Sequence, residues 1–138
     1  MVIGETMNKL LSYLIEHLAF LYNDYGARFV DSEVRAPQAL LVLEMTDLRL
    51  RLVNDRTQLF LDFQSTHHPD PDDWFSFDIV RRFITGEVVD SAELDEAKTA
   101  FTKKHLLEIA KAFSAENYSD TERTLHKFEQ ERGERLFG

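Results

Sequence analysis

Three short runs between Gln38 and Gln64 constrain this chain more than any other feature. In each run a leucine-rich set alternates with a second set. Leu41, Leu43 and Met45 alternate with Val42 and Glu44. Leu48, Leu50 and Leu52 alternate with Arg49 and Arg51, and Leu59, Leu61 and Phe63 with Phe60 and Asp62. A period of two sends successive side chains to opposite faces of a strand, so each run has one dry face and one wetter face. The runs are too close in sequence for a helical crossover, which predicts an antiparallel meander rather than a βαβ unit.

The same pattern predicts a register. A turn at Thr46-Asp47 sets Met45, Leu43 and Leu41 opposite Leu48, Leu50 and Leu52. A turn at Asp55-Arg56 sets Leu52, Leu50 and Leu48 opposite Leu59, Leu61 and Phe63. All nine side chains then share one face, and a slip of one residue would turn a whole row into water. On the wet face this register lines up Glu44, Arg49 and Asp62, with Arg51 between Val42 and Phe60. Opposite charges across a ladder contribute about 0.2–1 kcal/mol per pair. The row therefore reads as register-setting on a solvated face, in preference to a binding surface or a catalytic carboxylate pair.

Helices flank the strands. Met7, Leu10, Leu11, Leu14, Ile15, Leu18, Leu21, Tyr22 and Tyr25 recur at spacings of three and four, predicting a helix over 6–25 that Gly26 ends. Residues 28–35 suit a first strand, ended by Ala36-Pro37. After the loop at 65–73, Asp73 can cap a short helix over 74–85, with Trp74 and Phe77 on its inner stripe and Gly86 closing it. Asp90 or Ser91 opens a longer helix running to about residue 116, and Ser119 with Glu122 forms a capping-box pair for the last one. That last helix has only a thin apolar edge, formed by Leu125, Phe128, Leu136 and Phe137, so it packs peripherally or against a partner. The expected fold is a single α+β domain over 1–138: an N-terminal helix, an antiparallel meander of about four strands, and three C-terminal helices covering one face.

With 138 residues and an apolar fraction of 43%, the chain can bury a proper core. Cysteine is absent, which removes disulfides, thiolate metal sites and cysteine nucleophiles. No signal-peptide pattern opens the chain and no apolar run is long enough to cross a bilayer, so the expected location is cytoplasmic. The net charge of −9 disfavours nucleic acid as a partner. The charge is uneven: residues 64–100 carry 3 basic and 9 acidic groups, whereas residues 101–138 carry 7 of each. An acidic segment of this kind suits a basic protein partner.

Signatures of chemistry are few. There is no Gly-x-Ser-x-Gly elbow and no phosphate-cradling glycine loop. The loop His67-His68-Pro69-Asp70-Pro71-Asp72-Asp73 is the one cluster with metal-ligand residue types. From it comes one function class, a metal-dependent hydrolase using His67, His68 and Asp70. His17, His105 and His126 are scattered on helices and read as packing residues. The second class is a non-catalytic protein-binding module that needs no cofactor. Its contact surface would comprise Asp70, Asp72, Asp73, Phe75, Glu87 and Asp90, with Phe75 as an aromatic anchor among the acids. Trp74 and Phe77 read as core, whereas Phe75 is open between core and anchor. Self-association into a homodimer, through the last helix or a strand edge, is a third expectation.

The run from Asp47 to Phe63, followed by Trp74-Phe-Ser-Phe-Asp-Ile-Val80 and an all-helical end, resembles small bacterial proteins akin to immunity proteins of polymorphic toxin systems. The resemblance implies an acidic, cytoplasmic α+β domain without catalytic residues that blocks a toxin by binding it. It implies no site residues, because it lies in layout rather than in a motif.

Overall fold

The computed structural model describes residues 2–67 and 73–138. The elements run in chain order: α1 (Val2–His17), α2 (Phe20–Tyr25), β1 (Arg28–Arg35), β2 (Gln38–Glu44), β3 (Leu48–Asp55), β4 (Gln58–Ser65), β5 (Phe75–Ser76), α3 (Phe77–Thr85), α4 (Glu96–Ala112) and α5 (Tyr118–Phe137). The sheet is a five-stranded antiparallel meander in the order β1-β2-β3-β4-β5. The architecture is the α+β arrangement that alternation and helical periodicity predict, with one short strand more than expected.

The dry face is as the leucines require. Leu41, Leu43, Leu48, Leu50, Leu52, Leu59, Leu61 and Phe63 are all buried in one core cluster. α1 lies against β1, β2 and β3, while Leu106, Ile109 and Phe113 of the α4 region join the same core. α3 packs against β4, β5, α4 and α5, so α5 is tied on largely through α3. Tyr13 of α1 and Thr99 of α4 join their hydroxyls at 2.6 Å, and the buried Ser65 hydroxyl donates to the Phe113 carbonyl at 2.9 Å. The buried Asn54 of β3 is only half served, its amide donating to the Thr6 carbonyl at 3.1 Å while its side-chain oxygen has no partner among the described residues.

The β2–β3 register is the expected one, with Leu41 opposite Leu52, Leu43 opposite Leu50 and Glu44 opposite Arg49. The β3–β4 register differs from expectation by two residues. Leu50 pairs with Phe63, Leu52 with Leu61 and Asn54 with Leu59. The turn sits at Arg56-Thr57, not at Asp55-Arg56, and both of its residues have positive φ (52° and 75°). Two positive φ values match the twist of a tight hairpin. A shift of two keeps every leucine on its face, so alternation alone cannot separate the two registers. On the wet face the consequence is that Asp62 pairs with Arg51, while Arg49 stands opposite Gln64.

Helix boundaries also shift. The first helix breaks between His17 and Phe20, and Gly26, at φ 69°, caps its second piece in the left-handed region. Asp73 does not cap a helix at Trp74. Phe75 and Ser76 instead pair with Phe63 and Asp62 as β5, and α3 starts at Phe77. The long helix is capped by Asp95, whose carboxylate accepts from the Lys98 amide at 2.8 Å, not by Asp90 or Ser91. The chain before it is held on the sheet, with Glu93 bridging to Phe60 and the Leu94 amide donating to the Leu59 carbonyl. The last helix begins at Tyr118 after Asn117 rather than through the Ser119–Glu122 pair. Among the described residues no helix is long and apolar enough to cross a membrane.

Candidate functional site

Among the described residues the sheet ends in the eight-residue β1 on one side and in the two-residue β5 on the other. β4 is covered on its outer side by β5 and by Glu93–Leu94, whereas no strand among the described residues pairs with the outer side of β1. A bulge between Phe29 and Asp31 gives β1 an extra residue, Val30. Phe29 and Val30 are 55% and 38% exposed. Beyond the bulge, Asp31 and Glu33 stand opposite Val42 and Leu40, which places both acids on the wet face.

That face is organised by column. β1 contributes Asp31 and Glu33, β2 the apolar Leu40 and Val42, β3 Arg49 and Arg51, and β4 Asp62 and Gln64. All of these side chains but Asp62, together with Val30 and Trp74, border a groove of about 400 Å³, with Val42 and Leu40 between its acidic and basic walls. Each cation on the face is satisfied within it. Arg49 donates to Glu44 at 2.8 Å, and Arg28 reaches the other oxygen of the same carboxylate at 2.9 Å. Arg51 donates twice to one oxygen of Asp62, at 3.0 and 2.9 Å, and its guanidinium lies 4.6 Å from the Trp74 ring centre. Trp74 thus belongs to the wet face as a cation–π partner, which corrects its assignment to the core.

The two carboxylates of this face that arginines of β3 hold, Glu44 and Asp62, are shifted in opposite directions. Hydrogen bonds from Arg49 and Arg28 hold Glu44 below its ordinary value. Burial pushes Asp62 up, and Arg51 only partly offsets it. Both side chains are similarly shielded from solvent, and the difference follows from their partners: two arginines bond Glu44, whereas Asp62 has Arg51 alone against a larger burial cost and the nearby charge of Asp78.

The acidic segment singled out in the sequence has a different surrounding from the expected one. Phe75 is fully buried, packed edge-on against Phe113 at 6.3 Å, so it is core and offers no surface anchor. Asp90 is held by Arg135 at 2.8 Å, a hydrogen bond that lowers its carboxyl. Asp78 is gripped by Arg132 at 3.0 Å. Much of the acidic surplus of 73–90 is therefore answered within the chain by cations of α5. Glu87 is exposed. Asp70 and Asp72 lie outside the described residues.

Asp73 stands apart. One of its oxygens faces Nε2 of His126 at 3.2 Å, and the other accepts from the buried Tyr118 hydroxyl at 3.4 Å. Nδ1 of His126 lies 3.0 Å from Glu129. Burial first, and then the charges of Asp73 and Glu122, push the Tyr118 phenol upward, so it stays protonated and donates. Ligand atoms of Asp73, Glu122 and His126 all lie within 4.8 Å of one another. Of the histidine loop, His67 is tied to Asp47 at 2.8 Å, and His68 and Asp70 lie outside the described residues. His126 is thus more than a packing residue. Tyr118, Glu122 and His126 recur every four residues, a spacing visible in the sequence, but the approach of Asp73 from another element is not. Comparison of the chain with protein-family models, with curated proteins and with solved structures finds no match.

Proposed function

We propose that this chain is a non-catalytic, cytoplasmic binding protein that covers part of a basic partner protein, in the manner of an immunity-like inhibitor. The observation that carries the reading is the open β1 edge. It joins unpaired backbone, the exposed Phe29 and Val30, and the acids Asp31 and Glu33 to a groove floored by Leu40 and Val42. An extended segment of the partner can add to β1 as a sixth strand, with main-chain hydrogen bonds supplying affinity. Its alternate side chains then meet Asp31 and Glu33 on one face and the apolar patch of Phe29 on the other. The net charge of −9 speeds the encounter with a basic partner. The β1 surface carries the reading in place of Phe75, which is core, and of Asp73 and Asp90, which α5 engages, while Glu87 stays exposed.

The test uses extended peptides of matched length, one series rich in lysine and one rich in glutamate, titrated while backbone amide signals are followed. The basic series should shift β1 and groove residues, and Asp31→Lys with Glu33→Lys should abolish the response. Equal response to both series, or none at β1, removes this reading. Light scattering distinguishes the rival occupant of the edge, a second copy of the chain. For the inhibitory role, co-expression with a toxin encoded next to this reading frame should rescue growth.

A further inference from the structure

Along its second half α5 exchanges ion pairs with the chain packed against it. Asp90 meets Arg135, Asp78 meets Arg132, and Glu131 meets Arg82. At its first half Arg123 turns instead to Asp120 of the same helix. Asp73 and Glu122 stand together, and among the described residues no lysine or arginine forms an ion pair with either. The imidazole of His126 is shared between Asp73 and Glu129. Three carboxylates around one imidazole leave a local excess of negative charge, which Arg132 offsets only from a distance, at Glu129.

We propose that Asp73, Glu122 and His126 bind a divalent transition-metal ion of the zinc or manganese class, as a site of one imidazole and two carboxylates. Glu122 and His126 are four apart on α5, so they project from one face of the helix, and Asp73 closes the set from the chain leading into β5. Ligands about 2.0–2.2 Å from a shared zinc ion stand about 3–4 Å apart, so side-chain adjustments on the order of 1 Å bring these atoms, now within 4.8 Å, into coordination. The surroundings match what such ligands require. Glu129 faces Nδ1 of His126 and leaves Nε2 directed at Asp73, the carboxylate–imidazole–metal order. Tyr118, fixed in the core, holds the Asp73 carboxylate through its hydroxyl. Mixed nitrogen and oxygen donors favour zinc or manganese over magnesium, which takes oxygen alone. The ion would stand between Nε2 and Asp73 and supply the missing positive charge. His126, half exposed, leaves room for water on the open side.

Protein purified without a histidine tag and stripped by chelator is titrated by calorimetry with Zn²⁺ and, separately, Mn²⁺. One ion per chain is expected, with a melting temperature that climbs as free ion increases. Glu122→Gln and His126→Asn should each weaken binding at least ten-fold, while His67→Ala with His68→Ala should leave it unchanged. Absence of binding at about 1 mM ion, survival of binding in both ligand variants, or its loss in the His67/His68 variant overturns the site. Should the variants fail to fold, Mn²⁺ added to the wild-type protein must selectively broaden the ring signals of His126; an unaffected His126 refutes the proposal equally.

Discussion

On one side of β3, Leu48, Leu50 and Leu52 are completely buried; on the other, Arg49 and Arg51 keep roughly three-tenths of their side-chain surface in water. The leucines are held by burial, which is non-directional and scales with the area removed from solvent. The arginines are held by directed hydrogen bonds to Glu44 and Asp62, each contributing little net energy. The comparison teaches a division of labour. The dry face supplies stability but is indifferent to a two-residue slip, since one leucine then replaces another. The wet face supplies little stability but distinguishes registers, because Glu44 and Asp62 each have their own arginine in the observed one, whereas a shift of two would set both on Arg49.

The largest effect expected from breaking this comparison lies on the dry side. Leu50→Ala removes a side chain packed opposite Leu43 and Phe63 and should cost about 2–5 kcal/mol, read from the urea midpoint. A loss under 1 kcal/mol would show that the layer is loosely packed. Next comes the turn that selects the register. Thr57 is β-branched at φ 75°, a conformation costly for any residue but glycine. Thr57→Gly should therefore stabilise the fold by about 1 kcal/mol, and a destabilised variant would contradict the turn geometry.

The smallest effects belong to the wet face and carry opposite signs with pH. Glu44 binds its proton less tightly folded than unfolded, so its contribution is full above the ordinary value of 4.5 and is lost as pH falls through the lower folded value. Asp62 binds its proton more tightly when folded. Its contribution is present below the ordinary value of 3.8 and is withdrawn as pH rises through the higher folded value. Each should amount to less than about 1 kcal/mol. Chemical denaturation between pH 3 and 6 checks this: Glu44→Gln should flatten the acid-side loss of stability, and Asp62→Asn should steepen it. Identical profiles for the two variants would mean that they share one environment.

The contrast also explains what could be foreseen. The strands, their faces and the first hairpin were legible because period-two alternation is a local signal that burial enforces. β1 was legible at its bounds, 28–35, from its composition and from Ala36-Pro37. The second register was not, because Arg56 and Thr57 carry no conventional turn signature. Trp74 and Phe77 read as one helical stripe, with Phe75 beside it and open between core and anchor. Their assignment to coil, strand and helix depends on Phe75 pairing with Phe63, a contact between distant parts of the chain. The candidate sites follow the same rule. The spacing of Tyr118, Glu122 and His126 could be read from the sequence, whereas Asp73 joins them only because β5 docks on β4.

By itself the amino-acid sequence determined the α+β class, the shared dry face of three strands, and an excess of acid over base. Each of these follows from residue type and short-range spacing, which the backbone geometry of helix and strand converts directly into faces. Only the tertiary structure decided where the acids ended up: Asp78 and Asp90 against arginines of the last helix, Asp73 against His126, and Asp31 and Glu33 beside an open strand. Those outcomes depend on which elements pack together, and electrostatic partners between distant segments have no period for a sequence to display.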